Sequence, residues 1–180
     1  MKRPLNILAG IILFVSASIF LLSIIFRIND IYINTTSSFP LGLYKMIDEP
    51  VGKDAYVSFC PPQHRIFDMA VERHYINRGN CPGGYGLLLK RVFARAGDGV
   101  FIDPTGIKVN DQLLPKSAQL KADVDGFALP QYRLDQRVLD DSEYLLISDL
   151  NPNSFDARYF GLINRAQIKH VVEPLFTWSY

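Results

Sequence analysis

Leu87-Leu88-Leu89-Lys90-Arg91-Val92-Phe93-Ala94 is the strongest strand signal in the chain, apolar at every position except Lys90 and Arg91. A lysine among leucines is expensive to bury unless it is paired or neutral. Burial lowers an ammonium pKa and leaves a free amine that can accept a proton near neutral pH. A strand lysine on a solvated face needs no such account, so Lys90 alone leaves both open. The choice turns on whether the chain also holds a nucleophile in need of a base.

Such a nucleophile is offered upstream, in Asn34-Thr35-Thr36-Ser37-Ser38-Phe39-Pro40-Leu41-Gly42-Leu43-Tyr44. Four hydroxyl side chains in a row stand against a Pro and a Gly that both restrict the backbone. Serine is a weak nucleophile at its free pKa and must be activated by a neighbouring base. Pairs of serine and lysine are a recognised alternative to the Ser-His-Asp triad. The plainer account of this stretch is a polar linker, since clusters of Ser, Thr, Pro and Gly usually mark loops. His64, His74 and His170 sit in polar, surface-like contexts, and there is no Gly-x-Ser-x-Gly elbow to pair with them. No metal-ligand cluster or phosphate-binding glycine loop is visible, so neither a metal nor another cofactor is expected.

The stretch lies close to an apolar run. Residues 7–26 hold no charge, and 20 residues at about 1.5 Å each span roughly the 30 Å hydrocarbon core of a bilayer. Lys2 and Arg3 before them predict a cytoplasmic N-terminus with the bulk of the chain translocated. A cleaved secretory signal is the alternative. Its apolar part is normally about 7 to 15 residues and ends at a small-x-small site, whereas Ser16-Ala17-Ser18 falls mid-run. The expected organisation is an anchor over residues 1–28 and one soluble domain over 29–180. That leaves Ser38 close to the membrane surface.

With 180 residues, a hydrophobic fraction of 48% and a formal net charge of +1, the chain suits one domain with a proper core plus its anchor. So balanced a charge, with no run of Lys and Arg, argues against a nucleic-acid partner. Residues 55–59 alternate as a strand. Residues 65–76 carry loosely helical apolar spacing and predict a short amphipathic helix. Asn80-Cys81-Pro82-Gly83-Gly84 is a turn cluster. Cys60 and Cys81, the only two cysteines, bracket that helix. Outside the cytoplasm they are expected to form a disulfide, two buried thiols being the alternative; their spacing does not suit a zinc site. Residues 100–102 and 107–109 flank a hairpin turn, 115–142 read as a long polar excursion, and 144–147 as a buried strand. A strand pair near 163–168 and 171–178 closes the domain. Short strands and a single soluble helix predict a mainly β fold.

Three blocks resemble the signal peptidase I superfamily of Ser-Lys peptidases, and more closely its TraF-type conjugal transfer branch. Residues 34–44 resemble the nucleophile box Asn-Thr-Thr-x-Ser-x-Pro-x-Gly-Leu-Tyr. Lys90-Arg91-Val92 with Gly97-Asp98 resembles the lysine box. Ser148-Asp149 through Ser154-Phe155-Asp156-Ala157-Arg158 and Gly161 resembles the third box, with Ser148 and Ala157 in place of the usual Gly and Ser. The resemblance implies a signal-peptidase-like β fold, Ser38 as nucleophile and Lys90 as general base. The broader superfamily's Ser-Met-x-Pro spacing would select Ser37, but the Gly-Leu-Tyr after Pro40 is the TraF form and selects Ser38. It further implies an oxyanion hole from Thr36 and the Ser38 backbone N–H. Ser154 is implied to orient the lysine, and Asp156 with Arg158 to form a bracing ion pair. By the same resemblance the expected setting is a bacterial inner membrane with the catalytic domain in the periplasm. The expected partners are conjugation and type IV secretion components. The expected activity is endoproteolysis of a secreted precursor such as a conjugative pilin, with cyclisation as one outcome. The rivals are a general type I signal peptidase and a non-catalytic scaffold of the transfer apparatus.

Overall fold

The structure is a computed structural model and describes residues 2–178. Met1 and the side chains of residues 2–6, on which the basic N-terminus rests, lie outside the described residues. The apolar run folds as helix α1, Lys2–Ile28. Its segment Ile7–Ile28 has a mean hydropathy of 2.7 and no residue buried inside the structure. At 1.5 Å per residue these 22 residues reach about 33 Å. Side chains such as Leu13 and Phe14 stand more than 70% exposed, an arrangement water penalises and lipid does not, so the helix suggests membrane anchoring.

Asp30, at φ +54, turns the chain out of α1 into a strand. The fold is mainly β, as expected, and consists of two antiparallel sheets. The first contains β1 (Ile31–Asn34), β2 (Gly42–Ile47), β3 (Tyr56–Phe59), β5 (Leu88–Ala94), β10 (Glu143–Ile147), β11 (Ile163–Asn164) and β12 (Ile168–Thr177). Its strand order is β1-β2-β12-β3-β5-β10-β11. The second contains β6 (Gly99–Asp103), β7 (Gly106–Val109), β8 (Gln112–Leu113) and β9 (Leu134–Val138), ordered β8-β7-β6-β9. A short strand β4 (Arg78–Cys81) and helices α2 (Arg65–Glu72) and α3 (Ala157–Phe160) complete the elements.

Several expectations need correcting. The hydroxyl-rich stretch is not a linker: it is the loop of a β1–β2 hairpin, closed where Asn34 pairs with Gly42. Helix α2 ends at Glu72 rather than 76, because His74 takes a left-handed φ of +59 that a continuing helix cannot contain. The polar excursion of 115–142 contains β9, which pairs with β6. The closing strand pair is instead the two-residue β11, a 3-10 turn (Arg165–Gln167) and one ten-residue strand, β12. Cys81 belongs to β4 rather than to the turn after it, and a disulfide joins it to Cys60 with the Cα atoms 5.5 Å apart.

Strand β5 lies well inside the first sheet, between β3 and β10. That position buries both of its faces: Leu89, Lys90, Val92 and Ala94 are all 2% exposed or less. The main core, with Phe59, Phe67, Leu146 and Phe155, sits on one side of this sheet. A small cluster of Phe39, Tyr44, Leu89 and Val172 ties the hairpin loop to β5 and β12.

Candidate active site

The loop 35–41 is shaped by one buried side chain. Asn34, fully buried, donates from Nδ2 to the carbonyls of Thr36 (3.1 Å), Phe39 (3.2 Å) and Pro40 (3.0 Å). Its Oδ1 accepts from the backbone N–H (3.1 Å) and hydroxyl (2.8 Å) of Thr36. Polar backbone groups that would otherwise be left without partners are thus satisfied by one amide. Tyr44 adds a bond from its hydroxyl to the Pro40 carbonyl at 2.8 Å. Phe39 fixes the other end, packed edge-on against Tyr56 with ring centres 5.1 Å apart. Between these fixings the turn presents Ser37 outward and Ser38 inward.

Inward means toward Lys90. The Lys90 Nζ lies 2.7 Å from Ser38 Oγ and 2.9 Å from Ser154 Oγ, and the two hydroxyls are 3.0 Å apart. Lys90 is 1% exposed. Burial holds its pKa at about 8, well under the ordinary 10.5; the nearby Asp156 carboxylate pulls it up and the Arg158 guanidinium pushes it down. Those two charges largely cancel, because Asp156 and Arg158 are themselves a fully buried pair with two contacts of 2.8 Å. Lys90 therefore has no carboxylate of its own, and desolvation decides its state.

The Asp156–Arg158 pair also shapes the loop that carries Ser154. Arg158 donates to the carbonyls of Pro152 (2.6 Å) and Ser154 (2.9 Å), and Asp156 accepts from the Ser148 N–H at 3.0 Å. This loop in turn clamps the turn that carries Ser38. The Ser148 hydroxyl donates to the Ser38 carbonyl, and Asn151 Nδ2 donates to the Ser37 carbonyl at 3.1 Å. Asn34, Ser148 and Asn151 were given no role from sequence. Asn34 opens the nucleophile box and Ser148 departs from the family pattern, and those were the available signals.

The structure therefore brings Ser38, Lys90, Ser154, Asp156 and Arg158 into one network. Thr36 is beside it but engaged elsewhere, with its hydroxyl given to Asn34. Among the described residues the Ser37 hydroxyl accepts a single long hydrogen bond, of 3.5 Å from Asn151 Nδ2. His64 serves as the N-cap of α2 and is not at the site. Cys60 and Cys81 lie apart from the Ser38–Lys90 contact, along a neighbouring groove. A cleft of about 20 Å³ reaches Ser38 and Lys90 past Thr36, Leu87 and Phe155. Among the described residues no group of three or more His, Cys, Asp or Glu side chains converges to hold a metal.

A buried amine with a pKa of about 8, in contact with an inward-facing serine, can in its neutral form remove that serine's proton. The chain matches the family described as signal peptidase, peptidase S26 over residues 6–176. A plasmid transfer protein TraF of Escherichia coli is 53% identical over 146 residues, covering 81% of this chain and 82% of that protein. A conjugal transfer protein TraF of Agrobacterium tumefaciens is 31% identical over 179 residues, covering 98% of this chain and 97% of the other. A signal peptidase I of Enterococcus faecalis, 15% identical, superposes with a TM-score of 0.38 over 71% of this chain and 99% of its own, a likeness too low to argue from. The chain belongs to the signal peptidase, peptidase S26, family, and within it to the TraF type.

Proposed function

We propose that this protein is a membrane-anchored serine endopeptidase that matures a secreted precursor in bacterial conjugation, the pilin precursor foremost. The observation that carries this is the 2.7 Å contact between Ser38 Oγ and the buried Lys90 amine. The neutral amine takes the Ser38 proton as Oγ attacks the scissile carbonyl carbon. The resulting oxyanion meets the Ser38 N–H and the Thr36 hydroxyl, which turns from Asn34 to reach it. The C–N bond then breaks, and the Lys90 ammonium returns the proton to the departing amine. The acyl ester on Ser38 is resolved by water, giving hydrolysis, or by a nearby amine of the same substrate chain, giving a cyclic product. Which prevails follows the effective concentration of that amine and the exclusion of water.

The small cleft beside Ser38 favours a compact side chain at the cleaved bond. The apolar α1 and its basic start support placement in the inner membrane with the β domain in the periplasm. The sequence relation to proteins named for plasmid transfer supports the conjugative setting. The test is co-expression with a conjugative pilin precursor, followed by mass spectrometry. Wild type is expected to yield a processed product, and a cyclic one is a water lighter than its linear form. Ser38→Ala, Lys90→Ala and Lys90→Arg are expected to yield none, since a guanidinium stays protonated. Processing by Lys90→Arg would refute the mechanism.

A further inference from the structure

Strand β4, the disulfide and the start of β12 enclose a second concavity, of about 400 Å³. It shares Thr36 and Leu87 with the cleft at Ser38 and so opens onto the nucleophile turn. Its charged lining is Arg78 and Lys169, with His170 beside them, and no Asp or Glu lines it. Lys169 and His170 also border a neighbouring concavity that carries Asp30, Asp48 and Glu49, so the wholly positive lining belongs to this groove alone. Among the described residues neither cation forms an ion pair, and Lys169 Nζ reaches only the Ala166 carbonyl, at 3.5 Å.

Both cations stand on held backbone. Arg78 opens β4, which the disulfide fastens to Cys60. The same hairpin closes so tightly that a Cβ on Gly79 would fall 2.7 Å from Gly86 Cα. Lys169 follows Ile168, which is paired with Phe59 of β3. A concave wall of one sign concentrates ligands of the other, which scattered surface lysines do not.

We propose that this groove binds a carboxylate-bearing segment of the substrate peptide next to the bond presented to Ser38. The carboxylate is an acidic side chain or a free chain end. That the bound peptide is also the one cleaved rests on the peptidase reading above; the binding itself does not.

The test uses the full chain in detergent micelles, with Ser38→Ala to prevent turnover. The probes are rhodamine-labelled peptide pools of small and apolar residues carrying either two Glu or two Lys, each made with a free and an amidated C-terminus. Anisotropy at low salt is expected to show the Glu pool binding about tenfold tighter than the Lys pool, as two exposed ion pairs allow. The gap should shrink at about 0.5 M salt. Preference for Glu that survives amidation assigns the side-chain carboxylate; preference that appears only with free C-termini assigns the chain end. Arg78→Glu with Lys169→Glu should reverse the preference, and Arg78→Gln with Lys169→Gln should erase it with less risk to folding. Equal affinity for all pools, or an undiminished Glu preference in folded Gln variants, overturns the groove. Acid-selective binding without cleavage of any pool by wild type keeps the groove and rejects the peptidase reading. Cleavage without acid-selective binding does the reverse.

Discussion

Replacing Lys90 with methionine should leave the protein inactive and more stable. Lys90 is 1% exposed, and burial holds its pKa at about 8 against an ordinary 10.5. That gap corresponds to a penalty of about 3 kcal/mol on the protonated amine. Because the folded value is the depressed one, the unfolded chain binds the proton more tightly. The penalty is therefore full below about pH 8 and fades as pH rises toward 10.5. Methionine is similar in length and carries no charge. Ser38 Oγ and Ser154 Oγ, 3.0 Å apart, remain able to satisfy each other, so no buried hydroxyl is orphaned. Allowing about 1 kcal/mol for the lost amine hydrogen bonds, Lys90→Met should gain about 2 kcal/mol at about pH 7 and nothing by about pH 10. Urea denaturation of both full chains in one detergent, followed by Trp178 fluorescence, would measure this. The difference between them cancels every other titrating group. A variant no more stable at neutral pH, or a gap unchanged up to pH 10, would refute the claim that the amine is held at a cost.

The rate of processing should climb about tenfold between about pH 7 and pH 9 and then level off. A base with a pKa of about 8 goes from roughly a tenth neutral to nine-tenths over that range. A single inflection near 6.5 would implicate a histidine instead. Asn34→Ala strands the carbonyls of Thr36 and Phe39, while that of Pro40 keeps the Tyr44 hydroxyl. At about 1–3 kcal/mol for each orphan, it should lower stability by at least about 2 kcal/mol in a thermal melt and abolish processing. Reducing the Cys60–Cys81 bond, which closes 21 positions, should cost about 3 kcal/mol in the chain-entropy account. Thiol titration of native, unreduced protein should find no free cysteine.

Sequence made parts of this molecule plain for identifiable physical reasons. Strand β5 was legible because burial on both faces leaves a continuous apolar run, and Lys90 stood out against it. Helix α1 was legible because a charge-free run long enough to cross a bilayer stands out from the rest of the sequence. Strands β1 and β2 were masked, since the intervening loop is rich in hydroxyls and strand β1 has only four residues. Strand β9 was masked because four of its five residues are exposed and polar character prevails there. Apolar Ile76 prolonged the helical pattern beyond the point where the His74 backbone breaks it. The clamps by Ser148 and Asn151 span 110 and 114 positions. No local pattern encodes such a contact.

Strand β12 is the last of the described elements in chain order, yet it lies inside its sheet, between β2 and β3. Ser38 hangs from the β1–β2 hairpin, and Lys90 rides on β5, which is laddered to β3. A growing chain therefore emerges as two sheet fragments with no backbone ladder between them until residues 168–177 slot into the gap. Both edges of that gap stay open to wrong partners meanwhile. The order of synthesis thereby acts as a latch. The sheet does not lock the hydroxyl and the amine into register until β12 has been made, and a product ended by a stop codon before Ile168 would be unarmed as well as unfolded.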